Sequence, residues 1–143
     1  VRGQLQGHQI LQARPVGPVQ GGGPESVRKS LAAGVPSMFG FTVYSSISQA
    51  QATGRIPFPT MSDRVMGGHA VVAVGYDDKL EVRNEDGDSP TEGALLVRNS
   101  WGKGWGDAGY GWLPYEYVLR DLSDDFWSML KQDWVDTRQF TVQ

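Results

Sequence analysis

Two tracts limit what this chain can fold into: Gly67-Gly68-His69-Ala70-Val71-Val72-Ala73-Val74-Gly75-Tyr76 and Val97-Arg98-Asn99-Ser100-Trp101-Gly102-Lys103-Gly104-Trp105-Gly106. The β-branched and small apolar residues of His69 to Tyr76 and of Gly93 to Arg98 predict two strands. Asp77 to Glu92, a long acidic turn, separates them, and Gly109 to Leu113 predicts a third strand. This arrangement puts an imidazole and a carboxamide at strand ends. A thiol nucleophile needs such a pair around it, one to take its proton and one to hold the proton acceptor in the right tautomer. The chain nevertheless contains no cysteine.

Upstream, Pro24-Glu25-Ser26 opens a helix with Val27 and Leu31 on one face, ending at Gly34 before Pro36. Ser37 to Tyr44 is rich in aromatic and β-branched residues and predicts a buried strand. Ser45 to Thr53 reads as a short helix or loop, and the two prolines of Ile56 to Pro59 confine that stretch to an edge or an extended loop. Val16 to Pro24 holds two prolines and four glycines in nine positions, the composition of a connector. Strands joined by hairpins after one helix predict an α+β fold, an antiparallel unit closing towards a β-barrel. The organisation expected is an extension or linker over 1–24, a β-rich domain over 25–133 and a tail over 134–143.

Composition narrows the function classes. Hydrophobic residues make up 39% and charged residues 20% of the 143, the balance of a globular domain. No apolar run approaches the roughly 20 residues that cross a bilayer, and Val1 to Val19 lacks the basic and apolar regions of a secretory signal. No membrane association is therefore expected. The net charge is −3 and the basic residues are scattered, so no nucleic-acid partner is expected. The absence of cysteine excludes disulfides and thiolate metal sites; neither a cofactor nor a metal is expected.

Each candidate has a plain structural alternative. A lone histidine at a strand start is usually packed or hydrogen-bonded, and Asn99-Ser100 alone would be a strand-to-turn transition. Trp101 and Trp105 argue for more, because indoles beside a polar pair exclude water and strengthen an asparagine-to-imidazole hydrogen bond. The glycines at 67 and 68 leave room for a substrate backbone, since neither carries a Cβ. Three other patterns carry no chemistry. Gly104 to Gly109 has dinucleotide-fingerprint spacing, but strand residues follow where a helix must. Asn84 to Asp88 resembles alternating calcium ligands, yet Ser89 replaces the turn glycine and Leu95 the bidentate glutamate. His8 has no ligand-spaced companion.

The order His-Ala-Val, Arg-Asn-Ser-Trp-Gly, Trp-Gly and Gly109-Tyr110-Gly111 resembles the second half of papain-like cysteine peptidases. Leu31 to Pro36 is similar to that family's helix running into a strand, and Pro114 to Val118 followed by Asp124 to Trp127 resembles the tail of bacterial members. The resemblance implies catalytic roles for His69 and Asn99, shielding by Trp101 with Trp105 in support, and substrate contacts at Gly68, Ala70 and Ser37. Ala70 and Ser37 would line the pocket for the side chain two residues before the scissile bond. Gly68 departs from the acidic residue or asparagine common in relatives. The resemblance also implies that the cysteine and oxyanion glutamine lie on a separate helical domain. Gln6-Gly7 is not followed by the cysteine motif, and none of Ser26, Ser30, Ser37, Ser45, Ser46 and Ser48 matches the nucleophile's position. The expected partners are a peptide or protein substrate and a cysteine-bearing helical half, or a second copy in a dimer; the alternative is a non-catalytic module that binds a protein or peptide.

Overall fold

The computed structural model describes residues 13–18 and 23–131. Its elements are β1 (Ala13–Pro18), α1 (Pro24–Ala32), β2 (Ser37–Tyr44), a 3-10 helix (Ser45–Ala50), β3 (Val65–Val82), β4 (Thr91–Arg98), β5 (Tyr110–Pro114), α2 (Glu116–Leu119) and β6 (Ser123–Lys131). All strand pairs are antiparallel, in one sheet of order β1-β6-β2-β3-β4-β5. The α+β class and the helix ahead of the sheet match the sequence expectation. The barrel does not: among the described residues the sheet stays open, with β1 and β5 as its outer strands. The loop after the 3-10 helix occupies the edge that closure would have used. Trp112 N–H donates to Gly54 O at 2.7 Å and Ile56 N–H donates to Trp112 O at 3.0 Å, so these ladder groups of β5 are satisfied without closure.

Period-two alternation places the core on one face of the sheet. Phe39, Phe41 and Val43 of β2, Val71 and Ala73 of β3, Leu95 and Val97 of β4 and Leu113 of β5 are all buried together. Helix α1 adds Val27 and Leu31, four residues apart and therefore on one side of the helix. Tyr117 of α2 meets Phe41 and Phe58 edge-on at 5.9 and 5.5 Å. Its hydroxyl donates to Pro57 O at 2.8 Å, and burial raises its pKa. The Ile56 to Pro59 loop is thereby sewn to the core.

Two sequence readings change. The strand read as His69 to Tyr76 runs from Val65 to Val82, so the acidic turn shortens to 83–90. Glu81 pairs with Glu92 and Val82 with Thr91. Val82 is buried while Asp77 to Lys79 are exposed, so hairpin pairing carries charged residues that lack strand preference of their own. Part of the proline-rich connector is also strand. Gly17 pairs with Ser128 and Pro18 with Trp127, which is compatible with proline because β1 is an outer strand. The tail residues Asp124 to Trp127 belong to β6, between β1 and β2. His8, Gln6-Gly7 and the 134–143 tail lie outside the described residues.

Candidate active site

His69 and Asn99 continue two rows of the core. Along β3, Val71 and Ala73 face inward, and two residues earlier on the same face stands His69. Along β4, Leu95 and Val97 are followed at the same spacing by Asn99. Both rows run out of the apolar core at one end of the sheet, where Asn99 keeps 9% of its surface exposed and His69 is half-buried. Phe41, the β2 partner of His69, meets the imidazole edge-on at 6.0 Å between centroids.

The hydrogen bonds fix the tautomer. Asn99 Oδ1 accepts from the Ser100 backbone N–H at 2.7 Å and stands 2.8 Å from His69 Nε2. A backbone amide only donates, so the shared side-chain atom is the carboxamide oxygen, which only accepts. The proton between the two side chains is therefore on Nε2, and in the neutral ring Nδ1 keeps its lone pair. The pair can thus take a proton at Nδ1 and stabilise the resulting imidazolium through Nε2.

Aromatic packing holds this arrangement. The Trp101 indole stacks on the imidazole at 4.8 Å and 21°, and Trp105 meets Trp101 edge-on at 5.3 Å. Trp101 is 46% exposed whereas Trp105 is 4% exposed, so one indole is a cover and the other its anchor. The anchor needs Gly111 beneath it, because a Cβ there would come within 2.6 Å of the Trp105 ring. The loop closes on itself through Asn99 N–H to Gly109 O at 3.0 Å and Gly109 N–H to Trp105 O at 2.9 Å.

The structure brings His69, Asn99, Trp101 and Trp105 together, with Gly68 beside the histidine. Gly67 and Gly68 are exposed, and nothing lies within 4 Å of where either Cβ would stand. Ala70 is exposed and pairs with Gly40. Ser37 lies elsewhere: it is fully buried at the far end of β2, paired with Ala73 and Ser128, while Phe41 is the β2 residue opposite His69. Among the described residues no three His, Cys, Asp or Glu side chains gather in a way that could hold a metal ion. Asn84 instead serves the fold: its Nδ2 donates to Phe58 O at 3.0 Å and to Asp63 Oδ2 at 3.1 Å.

Sequence reasoning passed over a cavity of about 200 Å³ beside His69, lined by Gly40, Phe41, Thr42, Gly68, Asp121, Leu122 and Asp124. A signal was present in Gly40. A glycine interrupting an apolar strand marks a place where something else approaches the backbone, and here that is Asp124, whose Oδ1 lies 3.7 Å from where a Gly40 Cβ would be.

A fold of this class with a tautomer-fixed histidine can be set beside known proteins. The sequence profile of the papain family cysteine proteases matches residues 4–118. An uncharacterized peptidase C1-like protein of Acanthamoeba polyphaga mimivirus is 35% identical over 106 residues, 72% of this chain and 30% of that protein. Cathepsin B-like CP3 of Giardia intestinalis is 35% identical over 88 residues, 59% of this chain and 24% of that protein. The crystal structure of xylellain, a cysteine protease from Xylella fastidiosa, superposes with a TM-score of 0.57 at 42% identity, covering 71% of this chain and 34% of that one. The chain belongs to the papain family of cysteine proteases. It spans less than a third of the length of these two sequence relatives.

Proposed function

We propose that this chain supplies the histidine–asparagine half of a peptidase site that hydrolyses peptide bonds by thiolate attack, with the cysteine on a helical half from the same longer protein or from another chain. The observation that carries this reading is the 2.8 Å contact from His69 Nε2 to Asn99 Oδ1, with the Nδ1 lone pair left for a partner. In the proposed reaction Nδ1 takes the thiol proton, and the thiolate sulfur bonds to the substrate carbonyl carbon. The imidazolium returns its proton to the departing amine as the C–N bond breaks. Water activated by the same ring then releases the acid and restores the thiol. Asn99 holds the ring through the cycle, and Trp101 keeps water from one face of it. Neither Asn99 nor the tryptophans exchange protons with substrate.

Exposed Met61, Val65 and Met66 lead along the chain into His69, and an apolar approach of that kind favours association with a second body. The proposed partners are the cysteine-bearing half or, failing that, a second copy of this chain. A different observation, the absence of cysteine from the sequence, favours a second reading: a non-catalytic module that keeps the fold to bind a protein or peptide.

Native mass spectrometry of the protein isolated from its source, combined with a thiol-directed epoxide, separates the two. The peptidase reading expects a complex, or a longer polypeptide, carrying one labelled cysteine, with labelling lost in His69→Ala. A chain that neither labels nor cleaves peptides, alone or as a homo-oligomer, would sink it in favour of the binding module.

A further inference from the structure

We propose that Phe41 is a positioning residue for His69, the fixed wall against which Asn99 and Trp101 hold the imidazole; the inference rests on the peptidase-half reading and adds to that site a residue that touches no reacting atom. The hydrogen bond between Nε2 and Asn99 Oδ1 fixes one atom of the ring and leaves the rest able to swing about that contact. Trp101 stacks on the ring but is itself 46% exposed, so it is a cover that can lift. Gly67 and Gly68, which precede His69, have no side chains with which to hold it. Phe41 supplies the missing support from the core. It is the β2 residue paired with His69, it is 3% exposed, and it meets the imidazole edge-on at 6.0 Å. Opposite residues on neighbouring strands are close enough for their side chains to constrain each other.

Phe41 is in turn fixed from behind. Tyr117 meets it edge-on at 5.9 Å, Phe58 meets Tyr117 at 5.5 Å, and the Tyr117 hydroxyl is tied to Pro57 O. Aromatic contacts therefore run without a break from the Ile56 to Pro59 loop through the core to the imidazole. Edge-on rings prefer a definite geometry in addition to burying area, so this column sets an angle for the imidazole that aliphatic packing would leave loose. A reacting side chain keeps its geometry when the residues supporting it are themselves locked by packing. The strand register decides which β2 residue does this. Phe39, two residues earlier on the same face, is opposite Val71 and stacks on Phe126 at 4.6 Å. The two phenylalanines are 1% and 3% exposed, and they differ in whether the candidate site leans on them.

The test follows the Nε2 proton by NMR in the full chain with isotope-labelled histidine, where only His8 and His69 contribute signals. Exchange of the His69 Nε2 proton with water, measured on the neutral ring, reports how often the imidazole leaves Asn99. Phe41→Leu keeps apolar bulk and removes the ring; it should speed that exchange about fivefold, the effect of losing one edge-on aromatic pair. Phe41→Met fills the same space with a flexible chain and should do the same. Phe39→Leu is the control, because it takes a ring of equal burial from the same strand and should leave the exchange unchanged. Unchanged exchange in both Phe41 variants would overturn the proposal. So would an equal acceleration in Phe39→Leu, since general loosening of the core would then account for the effect. The measurement needs no cysteine, so its failure leaves the peptidase reading to its own labelling experiment. A chain that never acquires a reactive cysteine would defeat that reading and leave the hold of Phe41 on the ring intact.

Discussion

Two asparagines of similar burial, Asn84 and Asn99, sit in polar clusters that do different jobs. Asn84 is saturated. Its Nδ2 donates to Phe58 O and Asp63, and its Oδ1 accepts from Gln49 Nε2 and the Asp86 backbone N–H, each at 3.0 to 3.1 Å. The bonds tie the 3-10 helix, the loop before β3 and the turn before β4 into one body. Asn99 instead commits its oxygen to the neighbouring Ser100 N–H and to one histidine, and that histidine keeps a nitrogen available. A buried polar group that is bonded on every side stabilises the fold. One that orients a neighbour and leaves it a free nitrogen fits the proposed proton transfer.

That contrast can be broken or sharpened by substitution. The largest effect is expected for His69→Ala: in the proposed complex with a cysteine-bearing half, kcat/KM should fall about a thousandfold, because the proposed proton acceptor is gone, while thermal unfolding stays close to that of the parent. A comparable rate loss caused by unfolding would erase the distinction between the clusters. Next, Asn84→Ala should lower stability by about 3 kcal/mol, or roughly 10 °C in Tm, since it strands the Phe58 carbonyl and removes a donor from Asp63. Differential scanning calorimetry reads that loss, and a change of less than about 2 °C would mean the network is not structural.

Asn99→Ala should act the other way round. Loss of one neutral hydrogen bond to the imidazole should cut kcat about tenfold with little change in Tm, because Trp101 and Phe41 still flank the ring. The smallest effect concerns pH. Burial pushes the Asp63 carboxyl up, but hydrogen bonds from Thr60, Ser45 and Asn84 outweigh it and hold its pKa below the usual range. Hydrogen bonds from Tyr115 and Arg28 do the same for Asp78. A carboxyl with a depressed folded pKa contributes stability that is complete above its unfolded value of about 4 and is lost as pH falls through the folded value. Tm should therefore drop on acidification below pH ~4, and the drop should shrink in Asp63→Asn. An unchanged acid profile in that variant would remove Asp63 from the account.

The four residues at the centre of the site were legible because local chemistry marks them. His69 and Asn99 end apolar β-rich runs, and Trp101 and Trp105 lie in a glycine-rich loop that has no apolar period of its own. Where strands meet was harder to read. The pairing of Glu81 with Glu92 is set across a hairpin and contradicts the preferences of the residues involved. The same holds for β1, whose prolines fit only because its position in the sheet is an outer one. Ser37 follows a recognisable proline, but the sheet register buries it between Ala73 and Ser128. Asp121 and Asp124 carry no motif, and only the pairing of β6 with β2 brings them to the cavity.

The single strand from Val65 to Val82 has a consequence for how this chain can change over time. Its odd-numbered residues from His69 to Ala73 share one face, and the next irregularity in its pairing with β4 falls between Ala73 and Gly75. Deleting or inserting one residue between His69 and Ala73 would turn the imidazole to the opposite side of the sheet while leaving the composition almost untouched. That short span therefore behaves like a reading frame, tolerant of exchanges in side-chain identity and intolerant of odd changes in length.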